Sequence, residues 1–154
     1  MTTQILDGTG TLRTVSDMGD FMAANPVGAQ AVTASRAVAP PTTADASKAR
    51  IISAASVNNT LVSAAARVIR SLDVYNEAAY AVYFKLYDKA TTPVAGTDTP
   101  FWTIPVPAGS GYSKTFTWGI PISSGLGYAI TRNKADADIT VVAANDLVGM
   151  LTWR

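Results

Sequence analysis

Apolar residues recur at every second position in several short segments of this chain. Between residues 79 and 88, Val82, Phe84 and Leu86 alternate with more polar positions. Residues 112–118 show the same period of two. Successive side chains of a β-strand point to opposite faces, so this period is typical of strands with one buried face. The pattern therefore predicts an all-β protein.

The last segment, residues 147–153, is apolar at nearly every position, because the intervening residues Val148 and Met150 are apolar as well. A strand that is apolar on both faces lies at the centre of its sheet or is covered by a partner. We therefore expect this segment to be a central strand, or one that another chain covers.

Clusters of Gly, Pro, Asp, Asn, Ser and Thr separate these runs, about every ten residues. Such spacing is typical of an antiparallel β-sandwich or barrel. We predict a jelly-roll-like antiparallel β-sandwich, with a possible break of its second strand around residues 64–66. The predicted strands are Arg50–Val57, Thr60–Asp73, Ala79–Asp88, Phe101–Val106, Tyr112–Trp118, Gly127–Arg132, Ile139–Ala143 and Leu147–Trp153. The residues expected in the core are Val82, Phe84, Leu86, Ile104, Phe116, Ile130, Val141 and Leu151.

Residues 1–47 differ from the rest and are expected to form an N-terminal arm before a sandwich domain of residues 48–154. Residues 4–15 carry two short apolar runs around Asp7-Gly8-Thr9-Gly10, which predicts a β-hairpin. Residues 16–24 could add one helical turn with Ser16 as its N-cap. Residues 25–47 hold few bulky apolar side chains, so we expect them to be ordered only against a neighbouring subunit.

The composition argues against an enzyme. The chain has no histidine and no cysteine, so it lacks the commonest general base, the thiolate nucleophile and the usual zinc ligands. No serine has a base to activate it, and no pair of carboxylates stands out. We expect no catalytic residues, no cofactor and no bound transition metal.

The charge is balanced, at 12 Lys+Arg against 11 Asp+Glu, for a net charge of +1. This balance gives no basic field for nucleic acid. No run approaches the length of a membrane span, and residues 1–14 do not resemble a secretory signal, so we expect synthesis in the cytoplasm. With only 15% charged residues, the surface suits either burial in an assembly or a Thr/Ser-rich soluble sandwich.

Four loops carry residues that could bind ligands. Asn133–Asp138 alternates oxygen-bearing side chains in a manner that suits calcium, but a structural turn is the favoured interpretation. Gly96–Pro100 is interpreted as a rigid turn in which Asp98 accepts backbone hydrogen bonds. The Gly-rich segments 108–111 and 123–127 fit no phosphate-binding motif and are interpreted as hairpin loops.

Exposed aromatic rings could stack on sugars, although aromatic residues at strand spacing more often belong to a core or a subunit interface. A glycan is therefore kept as a possible ligand. The candidate rings are Trp102, Trp118, Trp153, Tyr80, Tyr83 and Tyr112.

Several short sequence segments of the chain resemble those of a small β-sandwich domain of tailed-bacteriophage structural proteins. They are LYDKA at 86–90, PVAGTDTP at 93–100, TIPVPAG at 103–109, SSGLGYAIT at 123–131 and DADITVVAAND at 136–146. A weaker similarity lies in the DGTGT phrase near the N-terminus.

This resemblance implies a virion protein, made in the bacterial cytoplasm, that decorates and cements the head lattice. Its implied partners are the major capsid protein and copies of itself in a homotrimer, with the arm stapling neighbours together. The residues nominated for contacts between subunits are Ile5, Leu6, Leu12, Val15, Val27, Val32 and Val38. The alternatives are a tail, fibre or spike component and a carbohydrate-binding module.

Overall fold

The computed structural model of the protein describes residues 46–154 and the backbone of residues 3–6 and 12–15. Every regular element in these residues is a β-strand. None of the described residues forms a helix of the length and hydropathy that crossing a membrane requires. The strands are β1 (Thr3–Leu6), β2 (Leu12–Val15), β3 (Ser47–Ile52), β4 (Thr60–Ser63), β5 (Arg67–Asn76), β6 (Val82–Asp88), β7 (Trp102–Val106), β8 (Gly111–Ile122), β9 (Leu126–Thr131) and β10 (Leu147–Trp153).

Eight of these strands form two four-stranded antiparallel sheets. The first sheet has the order β3-β10-β5-β8 and the second the order β4-β9-β6-β7. The strand pairs are nested along the chain, because β6 pairs with β7, β5 with β8, β4 with β9 and β3 with β10. Among these eight strands, every link between consecutive strands except β6–β7 passes from one four-stranded sheet to the other.

The inward faces of both sheets share one hydrophobic core. The second sheet contributes Phe84 and Ile130, and the first contributes Leu72 and Leu151, all of which are fully or almost fully buried. The Phe84 ring stacks on Tyr128 with a centroid separation of 5.0 Å. Removal of this apolar surface from water is the main stabilising contribution in such a fold.

A buried amide ties together the loops at one end of the two sheets. Asn76, at the end of β5, is completely buried. Its Nδ2 group donates to the carbonyls of Tyr80, Val106 and Pro107, and its Oδ1 accepts from the Ala78 N–H. The β5–β6 and β7–β8 connections are thereby held by one fully partnered side chain.

The second sheet is buried on its outer face as well, because loops fold back over it. Pro93 lies so close to Gly127 of β9 that a Cβ there would come within 2.8 Å of the proline ring. Beside them, Ala95 packs with Tyr87 and Ala129. Small residues on β9 therefore allow the 89–101 loop to lie against the sheet.

Most of the expected strands are present, and the break in the second one is confirmed, since β4 ends at Ser63 and β5 begins at Arg67. The strand predicted at Ile139–Ala143 is wrong. These residues form a surface connection without strand pairing, in which Val142 points inward while Val141 is 52% exposed. Val141 is accordingly not a core residue, and Phe116 is only partly buried at the edge of the core. The other predicted core residues are buried.

Within the expected N-terminal hairpin, β1 pairs with β2 in antiparallel register from Thr3↔Val15 to Leu6↔Leu12. Residues 7–11, which would connect these strands, lie outside the described residues, so the hairpin stays a prediction. These two strands form their own sheet. The predicted helical turn at residues 16–24 lies outside the described residues, and so do residues 25–45 of the linker predicted at 25–47. β3, the first strand of the two four-stranded sheets, begins at Ser47, one residue before the expected start of the sandwich domain at residue 48.

We expect Phe84→Ala to lower the free energy of unfolding by about 3–5 kcal/mol, because it removes a fully buried ring and leaves a cavity. Val141→Ala is the matched control and should cost less than about 0.5 kcal/mol, as its side chain is exposed. Denaturant melts of both variants measure the difference. A Phe84→Ala loss below about 1 kcal/mol would contradict the shared core.

Candidate functional site

The outer face of the first sheet carries an apolar row across three strands. Val148 on β10 lies between Ile52 on β3 and Tyr75 on β5 in the strand register. Met150 occupies the next outward position of β10. Ile52, Tyr75 and Met150 are between 42% and 44% exposed. Clustered apolar side chains of this kind mark an interaction surface more often than isolated ones do.

Opposite charges flank Met150 on this face. Arg50 of β3 and Asp73 of β5 are its register partners on either side, and both are exposed. The fourth strand, β8, presents only Gly111, Ser113 and Thr115 in line with these rows. Within these rows the apolar and charged positions are therefore confined to β3, β10 and β5.

The edge strand β8 also displays the most exposed large apolar side chain among residues 46–154. Trp118 is 91% exposed. It lies where the β5–β8 register shifts, between the pairs Ile69↔Ile120 and Ser71↔Thr115. Gly119 has a φ of 74°, which favours glycine, and a Cβ there would come within 2.2 Å of a Val68 methyl group. The bulge thus holds Trp118 outward, and irregular edges of this kind oppose pairing with further strands.

A cleft of about 420 Å³ opens on the outer side of the second sheet, between β6, β7 and the β9–β10 loop. Its lining residues are Tyr83, Thr103, Pro105, Lys134 and Asp136. Tyr83 pairs with Pro105, and Thr103 pairs with Lys85, so these side chains share the outward face. The cleft combines one aromatic ring with a hydroxyl, an ammonium and a carboxylate group.

Lys85 anchors the loop that forms one wall of this cleft. Its side chain is completely buried, and its Nζ donates to the Ala135 carbonyl at 2.6 Å. Burial lowers the pKa of Lys85, while Asp138 and Asp136 oppose that shift. The sequence predicted its outward direction but not its burial, because the covering loop comes from a distant part of the chain.

The neighbouring Tyr87 is also covered by loops. Its hydroxyl is buried and has no hydrogen-bond partner among residues 46–154. Burial raises the pKa of Tyr87 to about 12. With Ala95 and Ala129 against it, this side chain acts as packing for the loop.

The Asn133–Asp138 segment is held by its own hydrogen bonds. Asp138 accepts from the Asn133 backbone at 3.0 Å, from the Asn133 side chain at 3.1 Å and from the Thr140 hydroxyl at 2.7 Å. These bonds support the interpretation as a structural turn. Within residues 46–154 no three acidic side chains are grouped as metal ligands.

Asp98 plays the part expected in the Gly96–Pro100 turn. It accepts from the Val94 N–H at 2.8 Å and forms a salt bridge with Lys89 at 2.6 Å. The hydrogen bonds to Lys89 and Val94 lower the pKa of Asp98. This loop is therefore held together internally.

The Gly-rich segment at 123–127 already binds a carboxylate of the same chain. Asp88 accepts the N–H groups of Ser123, Ser124 and Gly125 at 2.9, 2.7 and 3.2 Å. Both Gly-rich segments connect strands of different sheets, so their interpretation as hairpin loops was wrong although they are loops. Backbone N–H groups that bind Asp88 are not a free phosphate cradle.

Four of the six candidate aromatic residues have structural roles. Trp153 is buried, and Trp102 makes edge contacts with Tyr112 and Phe116 at centroid separations of 6.3 and 5.8 Å. Tyr80 donates to Asp146 and lies 3.7 Å beneath the Arg132 guanidinium carbon. Of the other two, which lie on different sheets, Trp118 is exposed and Tyr83 is partly buried beside the cleft.

The nominated arm residues Ile5, Leu6, Leu12 and Val15 lie in β1 and β2, whereas Val27, Val32 and Val38 lie outside the described residues. Their contacts with other subunits stay a prediction. The sequence did not nominate Ile52, Val148 or Met150, although the doubly apolar pattern of residues 147–153 was a signal for them.

Comparison with known proteins identifies no relative. The chain matches no protein-family model, no curated protein and no solved structure.

We expect Asp88→Ala to lower stability by roughly 1–2 kcal/mol at pH 7, because three backbone donors lose their acceptor. Burial alone would raise the pKa of Asp88, but these hydrogen bonds together lower it from its ordinary 3.8. The stabilisation is therefore full above that value and is lost as pH falls through the lowered pKa.

Denaturant melts between pH 7 and pH 2.5 measure this dependence. The difference between wild type and Asp88→Ala should shrink below about pH 4. Glu77→Ala, which alters an exposed carboxylate, is the control. A difference that stays constant with pH would contradict the role of Asp88.

Proposed function

We propose that this protein is a structural component of a tailed-bacteriophage virion, of the kind that decorates the head and cements its lattice. Its partners are the major capsid protein and copies of itself, and the N-terminal arm of residues 1–47 reaches onto neighbouring subunits. The role is binding rather than catalysis, and the protein is made in the host cytoplasm before it joins the particle.

The observation that carries the proposal is the order of the strands. Numbered from β3 as the first, the eight strands have the orders 1-8-3-6 and 2-7-4-5 in their two sheets. This arrangement results when a ribbon of nested antiparallel pairs is wrapped into two facing layers, as in a jelly-roll sandwich. Jelly rolls recur in viral capsid proteins and in lectins. The strand order therefore supports both the predicted sandwich and a virion role.

The distribution of apolar surface supports the same role. The second sheet is covered by loops of its own chain, whereas the first sheet leaves Ile52, Tyr75 and Met150 exposed. Trp118 adds an exposed ring at the edge of that sheet. Exposed apolar groups of this size suit a subunit whose surface is covered by neighbours in an assembly.

Quantitative mass spectrometry of virions purified from the source can test this role. We expect the protein in many copies, comparable in number with the capsomers of the head. A few copies per particle would indicate a tail or spike component, and absence from particles would overturn the proposal.

A particle-binding assay tests the arm by comparing the full chain with a shortened one. Added to particles stripped of the protein, the full chain should bind the head, and a chain beginning at Ala46 should bind much more weakly. The shortened chain keeps β3 intact, since that strand begins at Ser47. Equal binding of both forms would refute the staple function of the arm.

A carbohydrate-binding module is the second candidate, and the Tyr83 cleft favours it. An aromatic ring offers a stacking platform, while Asp136 accepts and Lys134 donates hydrogen bonds of the kind that sugar hydroxyls make. Lectins share the jelly-roll architecture. This function requires affinity of the isolated protein for a glycan.

A glycan array followed by titration calorimetry tests this candidate. If the cleft is the site, Tyr83→Ala should weaken binding at least about fivefold, since aromatic stacking contributes on the order of 1 kcal/mol or more. Trp118→Ala is the control, as that ring lies on the other sheet. No affinity for any glycan, or binding that survives Tyr83→Ala, would rule out the cleft as a sugar site.

A further inference from the structure

We infer that the outer face of the first sheet binds the same face of a second copy of this chain around a two-fold axis. The inference rests on the proposed function for its biological setting. It names one partner, a second copy related by a two-fold axis, in place of the homotrimer that the resemblance implied. It rests structurally on the strand register of β3, β10 and β5. The residues concerned are Arg50, Ile52, Asp73, Tyr75, Val148 and Met150.

The face is complementary to itself. On either side of Met150, one strand away, stand Arg50 and Asp73. The proposed two-fold axis is parallel to β10 and lies midway between the two facing sheets. Rotation about it exchanges the positions of β3 and β5 but leaves each residue at the same height along the strand direction. Arg50 of each copy then lies opposite Asp73 of the other, which forms two equivalent charge pairs, as isologous interfaces require.

The apolar row obeys the same symmetry. One level along the strands, Ile52 of each copy would face Tyr75 of the other, and Val148 would face its own equivalent. Met150 likewise meets Met150 on the axis. Facing sheets pack about 10 Å apart with their strands roughly aligned, a spacing that these side chains fill.

The fourth strand marks the limit of the interface. With the axis on β10, the strands β3 and β5 exchange places, but β8 has no counterpart on the far side of β3. The outward positions of β8 in these rows are Gly111, Ser113 and Thr115, which carry neither charge nor a large apolar group. In these rows the three strands that overlap carry the apolar and charged residues, whereas the positions of β8 that do not overlap are small or polar.

The size of the face predicts a weak dimer. The paired stretches of β3, β10 and β5 are six or seven residues long and present an area of roughly 14 by 20 Å. This is below the approximately 800 Å² per partner of standard interfaces. We therefore expect dissociation in the micromolar range rather than a permanent dimer.

Sedimentation velocity of the full chain tests the inference over roughly 10 to 500 µM, which brackets that range. The mass should rise with concentration from the 16.1 kDa of one chain to twice that value. Arg50→Asp and Asp73→Arg should each weaken self-association at least about tenfold, because each change sets like charges opposite each other twice. Circular dichroism establishes that both variants fold.

Mixing the two variants gives the decisive measurement. A heterodimer of Arg50→Asp with Asp73→Arg restores an opposite charge at both pairs, so the mixture should associate about as tightly as wild type. Ser113→Asp lies in the same row but outside the overlap and should leave association unchanged. This control separates a specific pair from a general effect of charge.

Several results would overturn the inference. They are a monomer at all concentrations, a mass three times that of the chain, or variants whose mixture associates no better than either alone. A monomer would also result if another part of the same chain covered the face. Because this assay uses no particles, failure here is distinguishable from failure of the proposed function, which the virion measurements decide.

Discussion

The packing of two inward strand faces into one core is the constraint on which the rest of this structure depends. Phe84 and Ile130 from one sheet and Leu72 and Leu151 from the other lie in the same cluster. Because side chains alternate along a strand, fixing which residues face this core also fixes which ones face outward. The side chains of Lys85 and Tyr83 point away from the core for this reason, as do those of Arg50 and Asp73. The core therefore determines the position of the Tyr83 cleft and of the outer face of the first sheet.

The loops cover the outer faces of the two sheets to different extents. On the second sheet, Gly127 and Ala129 leave room for the 89–101 loop, and Lys85 binds the Ala135 carbonyl of the β9–β10 loop. Hydrogen bonds of Asp88, Asp98 and Asp138 hold the loops in shape. The first sheet keeps its outward apolar side chains at the surface. The first sheet therefore presents an uncovered row of apolar and charged side chains, whereas the second sheet is open to solvent at the cleft beside Tyr83.

Much of the fold could be predicted from local pattern because strand period, turn residues and central-strand character are local properties. β10 illustrates this, since its doubly apolar sequence correctly indicated a position between two other strands. Ile139–Ala143 illustrates the failure. Its β-branched residues have strand propensity, but the segment crosses between sheets and finds no strand to pair with. Propensity describes a single residue, whereas pairing requires a neighbour in space.

The sequence by itself determined the all-β class, the faces of most strands and a chemistry without histidine or cysteine. It also indicated that Asp98 would bind its own loop. Only the tertiary structure decided that Lys85 is buried, that Asp88 fills the Gly-rich loop and that Arg50 and Asp73 flank Met150. Each of these features joins residues that are between 35 and 100 positions apart in the chain, as in the pairs Asp88–Ser123 and Arg50–Met150. Local periodicity contains no information about such distant neighbours, because strand order and loop placement follow from how all the strands share one core.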